Sequence, residues 1–170
     1  MNRITTYLAL GSNLGDRLAN LQKGRELLAP LSLGEIISAP VYETDPLDCP
    51  EGSPPFLNTV LSFDSSLSSL EFLNQTQAIE NKLGRLPLKN RPTNAPRLLD
   101  IDILLYGDTV FSTADLRLPH PRLHQRFFVL YPLRDIAPSL TPPTHANPIS
   151  ILLELCETSE APPQIHLEEW

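Results

Sequence analysis

Cysteine is scarce in this 170-residue sequence, and the little there is forms no pattern. Cys49 and Cys156 stand far apart, with no second Cys or His at metal-ligand spacing, which excludes a disulfide framework or a zinc site read from spacing. Long apolar runs are missing as well. The longest, Phe127 to Leu133, contains Pro132 and is far too short to span a bilayer. Met1 to Thr6 carries one charge, and the apolar stretch Tyr7 to Leu10 is closed at once by Gly11 and Ser12, so no leader is read. The expectation is a soluble, cytoplasmic chain with no membrane partner. A surplus of positive charge is also lacking: 13 Lys and Arg against 20 Asp and Glu leave a net charge of -7. That argues against nucleic acid, which requires a basic face to displace counterions. The length suits one core, so a single domain over residues 1–170 is expected, with its core at about 4–138 and an extension at about 139–170.

The positive charge that is present is concentrated. Lys82, Arg85, Lys89, Arg91 and Arg97 fall in a stretch, Asn81 to Arg97, without a single acid. Arg117, Arg122 and Arg126, with His120 and His124, fall in a second acid-free stretch. Two cationic segments in an acidic protein suggest a small, highly charged anion as ligand.

Periodicity gives the organisation. A strand at Ile4 to Leu10 turns at Gly11-Ser12-Asn13 into a helix from about Asp16 to Leu28, with Leu14, Leu18, Leu21 and Leu28 as its apolar positions. Strand patterns follow at Gly34 to Tyr42 and Phe56 to Phe63, separated by a proline-rich loop, Pro46 to Pro55. Ser68-Ser69-Leu70-Glu71 has capping-box spacing and opens a helix that stops near Gly84, with Leu70, Leu73, Ile79 and Leu83 available to face a sheet. Arg85 to Arg97 has no periodicity and three prolines, the mark of a functional or disordered loop. Leu99 to Tyr106 is the clearest strand, and Gly107-Asp108 suggests a hairpin to a short strand near Val110. Helical patterns cover about Arg126 to Ile136 and Ile149 to Cys156. The order βαββαβ predicts an α/β (α+β) sandwich, with helices packed on a mainly antiparallel sheet.

In the strand Leu99 to Tyr106, alternation puts Leu99, Ile101, Ile103 and Leu105 on one face and both Asp100 and Asp102 on the other. Two adjacent carboxylates repel and call for a cation, and hard oxygen ligands suit magnesium. An isolated Asp-x-Asp more often marks a solvated strand face. Here, however, the basic segments bracket the pair, and metal-holding carboxylates among guanidinium groups are what a polyphosphate requires. Phe56 and Asn58 share a strand face on which a flat heterocycle could stack and meet an amide; core packing is the plain alternative. Gln77 and Glu80, at i and i+3, could line a nucleotide pocket or a solvated face. The Gly11-to-Asp16 turn lacks the Gly-Lys-Ser/Thr ending of a phosphate loop and reads as a strand-to-helix turn.

Taken together, five blocks resemble the hydroxymethyldihydropterin pyrophosphokinases of folate biosynthesis. They are Tyr7-Leu-Ala-Leu-Gly-Ser-Asn-Leu-Gly-Asp16, Tyr42-Glu-Thr-Asp-Pro46, Phe56-Leu-Asn58, Pro96-Arg-Leu-Leu-Asp-Ile-Asp-Ile-Leu-Leu-Tyr-Gly107, and Leu118-Pro-His-Pro-Arg122 followed by Arg126-Phe-Phe-Val-Leu. The resemblance runs in family order from residue 7 to about 138 and implies a ferredoxin-like fold, a monomer, and diphosphate transfer from ATP to 6-hydroxymethyl-7,8-dihydropterin with release of AMP. It implies that Asp100 and Asp102 hold two magnesium ions, and that Phe56 and Phe128 sandwich the pterin while Thr44, Leu47 and Asn58 line its polar edge. Gln77, Glu80, Ile103, His120 and Arg126 match nucleotide-side positions, with Arg126 also catalytic. Arg85 and Arg97 match arginines of the family's mobile catalytic loop. Asn94 stands where the family usually has a tryptophan, and Pro87 where some members have a second arginine. A pterin- or nucleotide-binding module of the same fold without turnover is the alternative reading.

Overall fold

The computed structural model describes residues 3–47, 49–85 and 95–170. Its centre is a pair of long strands, β1 (Ile4–Ser12) and β4 (Phe56–Ser65), joined antiparallel over nine residue pairs from Ile4↔Ser65 to Ser12↔Leu57. β5 (Asp100–Tyr106) lies on the other side of β1, while β3 (Val41–Thr44) pairs with β4. The sheet order is β5-β1-β4-β3-β8, all antiparallel, and the short β2 (Ile37–Ser38) also pairs with β4. With α1 (Arg17–Leu28) after β1 and α2 (Ser69–Lys82) after β4, the connectivity and strand order are those of a ferredoxin-like fold.

Period-two alternation builds a core on each side of the sheet. Leu8, Leu10, Leu57 and Leu61 face α1 and α2, packing with Leu21, Leu28, Phe72 and Ile79. Ala9 and Val60 face the opposite way, against Val129, Leu130 and Leu133 of α3 (Phe127–Ile136) and Ile149 of α4 (Ile149–Glu154). Both early helices are capped, the second as its sequence predicts. Asp16 Oδ1 accepts from Ala19 N–H at 3.0 Å, and Ser68 and Glu71 form a reciprocal capping box.

Several expectations need correction. The strand pattern Gly34 to Tyr42 is split into β2 and β3, because Pro40 supplies no ladder donor between them. Leu14 lies before α1 and is 44% exposed, and Leu70 on α2 is 48% exposed; Phe72 takes the buried position instead. Leu105 does not share a face with Ile103, because Tyr7 pairs with Leu105 but Leu8 pairs with Ile103. This β-bulge turns Leu105 toward α3, beside Leu104, and leaves Leu99, Ile101 and Ile103 on the α1/α2 side. The turn at Gly107-Asp108 does not return a strand along β5. Val110 is exposed, and β6 (Phe111–Ser112) pairs with β7 (Arg117–Leu118) in a separate two-stranded ribbon.

The proline-rich end of the chain carries an unexpected strand, β8 (Gln164–Leu167), hydrogen bonded along β3. Beyond it, Trp170 Nε1 donates to Ala39 O at 2.9 Å, and the Arg25 guanidinium stacks 5.5 Å from the indole.

Candidate active site

Strand register assembles the site. Asp100 pairs with Gly11 and Gly11 with Asn58; Asp102 pairs with Ala9; Phe56 pairs with Thr44. Gly11 and Asn58 lie on the α3 face with Phe56, so two carboxylates from β5 and an amide and an aromatic ring from β4 meet on one surface across β1. That surface floors a cleft of about 240 Å³, closed on its far side by Phe128 and Arg126 from the start of α3.

A glycine is required at position 11. A Cβ there would sit 2.8 Å from Asn58 Oδ1, displacing the amide, and in ordinary contact with Phe56 Cδ1 at 3.5 Å. Asn58 Nδ2 donates to Thr44 Oγ1 at 2.7 Å, which fixes the amide across the cleft floor, and Leu47 lines the same end. The Arg97 guanidinium lies 5.4 Å from the Phe56 ring, and that of Arg126 lies 5.1 Å from the Phe128 ring.

Charge is arranged around Asp100. Arg85 Nη1 approaches Asp100 Oδ1 at 2.7 Å and is also paired with Glu80, while Arg97 Nε lies 3.1 Å from Asp100 Oδ2 as an ion pair without hydrogen-bond alignment. Glu80 is buried, and its Oε1 accepts Ile101 N–H at 2.8 Å, so α2 grips β5 between the two aspartates. Asp102 is pushed up to about 6, first by burial and then by the charge of Asp100; Arg126, Arg85 and Arg97 oppose the shift. His120 is depressed to about 4, chiefly by burial and then by Arg126 and Arg122. Its Nδ1 accepts Arg122 N–H at 3.2 Å, which leaves a neutral ring with its proton on Nε2.

A second cleft of about 290 Å³ adjoins the first, since Asp102 and His120 line both; Ile103 belongs to this second one. Of the remaining nucleotide-side positions, Gln77 is exposed on α2 and lines neither cleft, and Glu80 is committed to Ile101 and Arg85. Pro87 and Asn94 lie outside the described residues. Sequence reasoning missed Gly11 and Asp45, which line the main cleft, and Asn13, which anchors its rim; Arg122, read only as part of a cationic stretch, lines the cleft too. A glycine ending a strand opposite an asparagine was the available signal for Gly11.

The carboxylate pair suits a hard dication. Its donors are oxygens only, and Asp102, raised first by burial and then by the charge of Asp100, would gain from a cation beside it. Among the described residues no cluster of three or more His, Cys, Asp or Glu could hold a metal, so a bound ion would complete its shell from water and phosphate.

Residues 7–138 match the family model described as 7,8-dihydro-6-hydroxymethylpterin-pyrophosphokinase (HPPK). The 2-amino-4-hydroxy-6-hydroxymethyldihydropteridine pyrophosphokinase of Aquifex aeolicus is 41% identical over 145 residues, covering 85% of this chain and 88% of the relative. The enzyme of the same name from Bacillus subtilis is 42% identical over 139 residues, covering 80% and 79%. Among solved structures, HPPK-DHPS in complex with substrates superposes with a TM-score of 0.70 at 16% identity, which speaks to the fold alone. The match takes in 91% of this chain but only 43% of that longer one.

Proposed function

The chain belongs to the 7,8-dihydro-6-hydroxymethylpterin-pyrophosphokinase family and transfers pyrophosphate from ATP to hydroxymethyldihydropterin in folate biosynthesis; from that premise we propose how its cleft divides the work. The reading rests on one observation above all: the Asp100/Asp102 pair and its arginines share a single surface with Phe56, Asn58 and Phe128.

The pterin lies between Phe56 and Phe128, with its polar edge toward Asn58, Thr44 and Leu47. ATP lies toward Ile103, His120 and Arg126, where the Nε2–H of neutral His120 is a donor to an anionic ligand. Gln77 and Glu80 belong to the outer margin of that side, Glu80 acting through Arg85.

Asp100 and Asp102 would hold two magnesium ions, which neutralise the carboxylates and polarise the phosphate oxygens when bound. Everything else falls to side chains. Arg85, Arg97 and Arg126 orient the triphosphate and counter the charge that develops on it. The pterin hydroxymethyl oxygen attacks the β-phosphorus in line, its new P–O bond replacing the bond to the α-phosphate, and AMP leaves. Asp100, which borders the cleft, would accept the hydroxyl proton as well as hold metal.

The protein acts as a cytoplasmic monomer of one domain, with neither nucleic acid nor membrane as partner. The union of β8 with β3 and the net charge of -7 support that reading, and no helix among the described residues is long and apolar enough to cross a membrane. Incubation with ATP, magnesium and 6-hydroxymethyl-7,8-dihydropterin should yield AMP and the pterin diphosphate in equal amounts by chromatography. ADP as the nucleotide product would refute the reading.

A further inference from the structure

The helix that carries one wall of the cleft begins without a local cap. Arg126 occupies the N-cap position of α3 and offers no side-chain hydrogen bond to the first turn. The acceptor comes from 33 residues downstream: Glu160 Oε2 receives Phe127 N–H at 2.9 Å and Phe128 N–H at 3.4 Å. A carboxylate here satisfies orphan donors and lies at the positive end of the helix dipole. Its other oxygen, Oε1, is buried and takes no hydrogen bond among the described residues, so the anchoring passes through Oε2. The backbone N–H of Glu160 donates to Thr158 Oγ1 at 3.2 Å, which shapes the turn presenting the carboxylate.

The segment bearing Glu160 is itself tied to both walls of the site. Before it, Leu152, Leu153 and Cys156 pack into the core shared with α3. After it, β8 pairs with β3, and Ala161, Pro162 and Pro163 line a small cavity together with Thr44 and Asp45. This stretch lies beyond residues 7–138, the part matched by the family model.

We infer that Glu160 is a positioning residue for the pterin side of the cleft: by receiving the first two N–H groups of α3 it sets the Phe128 ring against Phe56. The inference rests on the reading of Phe128 as one face of the pterin sandwich. A merely structural glutamate would, on removal, lower stability and impair both substrates alike.

The test compares Glu160→Ala, Glu160→Gln and Phe128→Ala, with KM measured separately for pterin and ATP. Glu160→Ala should raise the pterin KM ~10-fold with the ATP KM moved less than ~2-fold. Glu160→Gln, whose amide oxygen still accepts both N–H groups, should restore most of that loss. Amide exchange at Phe127 and Phe128 should quicken in the alanine variant only. An unchanged pterin KM in Glu160→Ala, an equal rise for both substrates, or failure of glutamine to rescue overturns the inference. If Glu160→Ala does not fold, Thr158→Val, which removes the hydroxyl that shapes the turn, should show the same pterin-selective rise, and its absence overturns the inference equally. The two failures are separable. Phe128→Ala weakening pterin while Glu160→Ala does not refutes the positioning role alone, whereas an unaffected Phe128→Ala refutes the sandwich and the inference with it.

Discussion

Asn13 and Arg97 hold each other by two hydrogen bonds: Arg97 N–H donates to Asn13 Oδ1 at 2.9 Å, and Asn13 N–H donates to Arg97 O at 3.2 Å. The same asparagine donates from Nδ2 to Pro54 O at 3.3 Å, so one buried side chain ties together two loops on the rim of the cleft. Asn13→Ala leaves Arg97 N–H and Pro54 O without these partners and should cost about 1–3 kcal/mol of stability in urea unfolding. Because the Arg97 backbone then keeps only the Asn13 N–H to Arg97 O bond, kcat should fall as well.

Gly11→Ala tests the close approach on the cleft floor. The added methyl group meets Asn58 Oδ1 and the Phe56 ring, both on the pterin side, while the carboxylate pair lies across the neighbouring strand. The pterin KM should rise by ~10-fold or more with little change for ATP, as read from steady-state kinetics on each substrate.

The pH dependence of stability reports on Asp102. Folding raises this carboxyl from 3.8 to about 6, so between those values the folded protein binds more protons than the unfolded chain. The group's favourable contribution is full below the lower value and is lost as pH rises through the upper one. Asp102→Asn, which carries no charge, should therefore make the ligand-free protein more stable above about pH 6, by up to about 3 kcal/mol, with the difference vanishing toward pH 4. Thermal melts across pH 4 to 8 would show it. The stabilised variant should be inactive, as expected of a site that keeps its charge at the expense of its fold.

Phe128→Ala should weaken pterin binding by roughly 1–3 kcal/mol and leave ATP binding nearly unchanged, as followed by calorimetry with each ligand alone. An equal loss for both would mean damage to the packing of α3 instead.

Much of this arrangement was legible because it depends on period two. The alternation in Asp100-Ile101-Asp102-Ile103 and in Phe56-Leu57-Asn58 fixed the faces of two strands, and the capping box at Ser68 fixed the start of a helix. Alternation thus placed Asp100 with Asp102 and Phe56 with Asn58, while Thr44, Arg97 and Phe128, which the family resemblance implied, line the same cleft. What escaped depends on pairing between distant residues. The bulge that separates Leu105 from Ile103 is a mismatch in length between two strands and leaves no local mark. β8 is a short edge strand whose order comes from β3, and Glu160 caps a helix from far along the chain. Asn13 read as a turn residue because the partners that give it meaning, Pro54 and Arg97, are brought to it only by the sheet.

The most direct measurement is AMP release by the Asp102→Ala variant in saturating ATP, magnesium and pterin, alongside wild type and wild type with chelator. Loss of this cleft-lining carboxylate should lower kcat at least ~100-fold, a barrier increase of about 2.7 kcal/mol, with the circular dichroism spectrum unchanged. Chelation of the wild type should give the same loss. If the variant keeps more than about a tenth of wild-type kcat, a difference under ~1.4 kcal/mol, the carboxylate pair is not where the phosphate chemistry is supported.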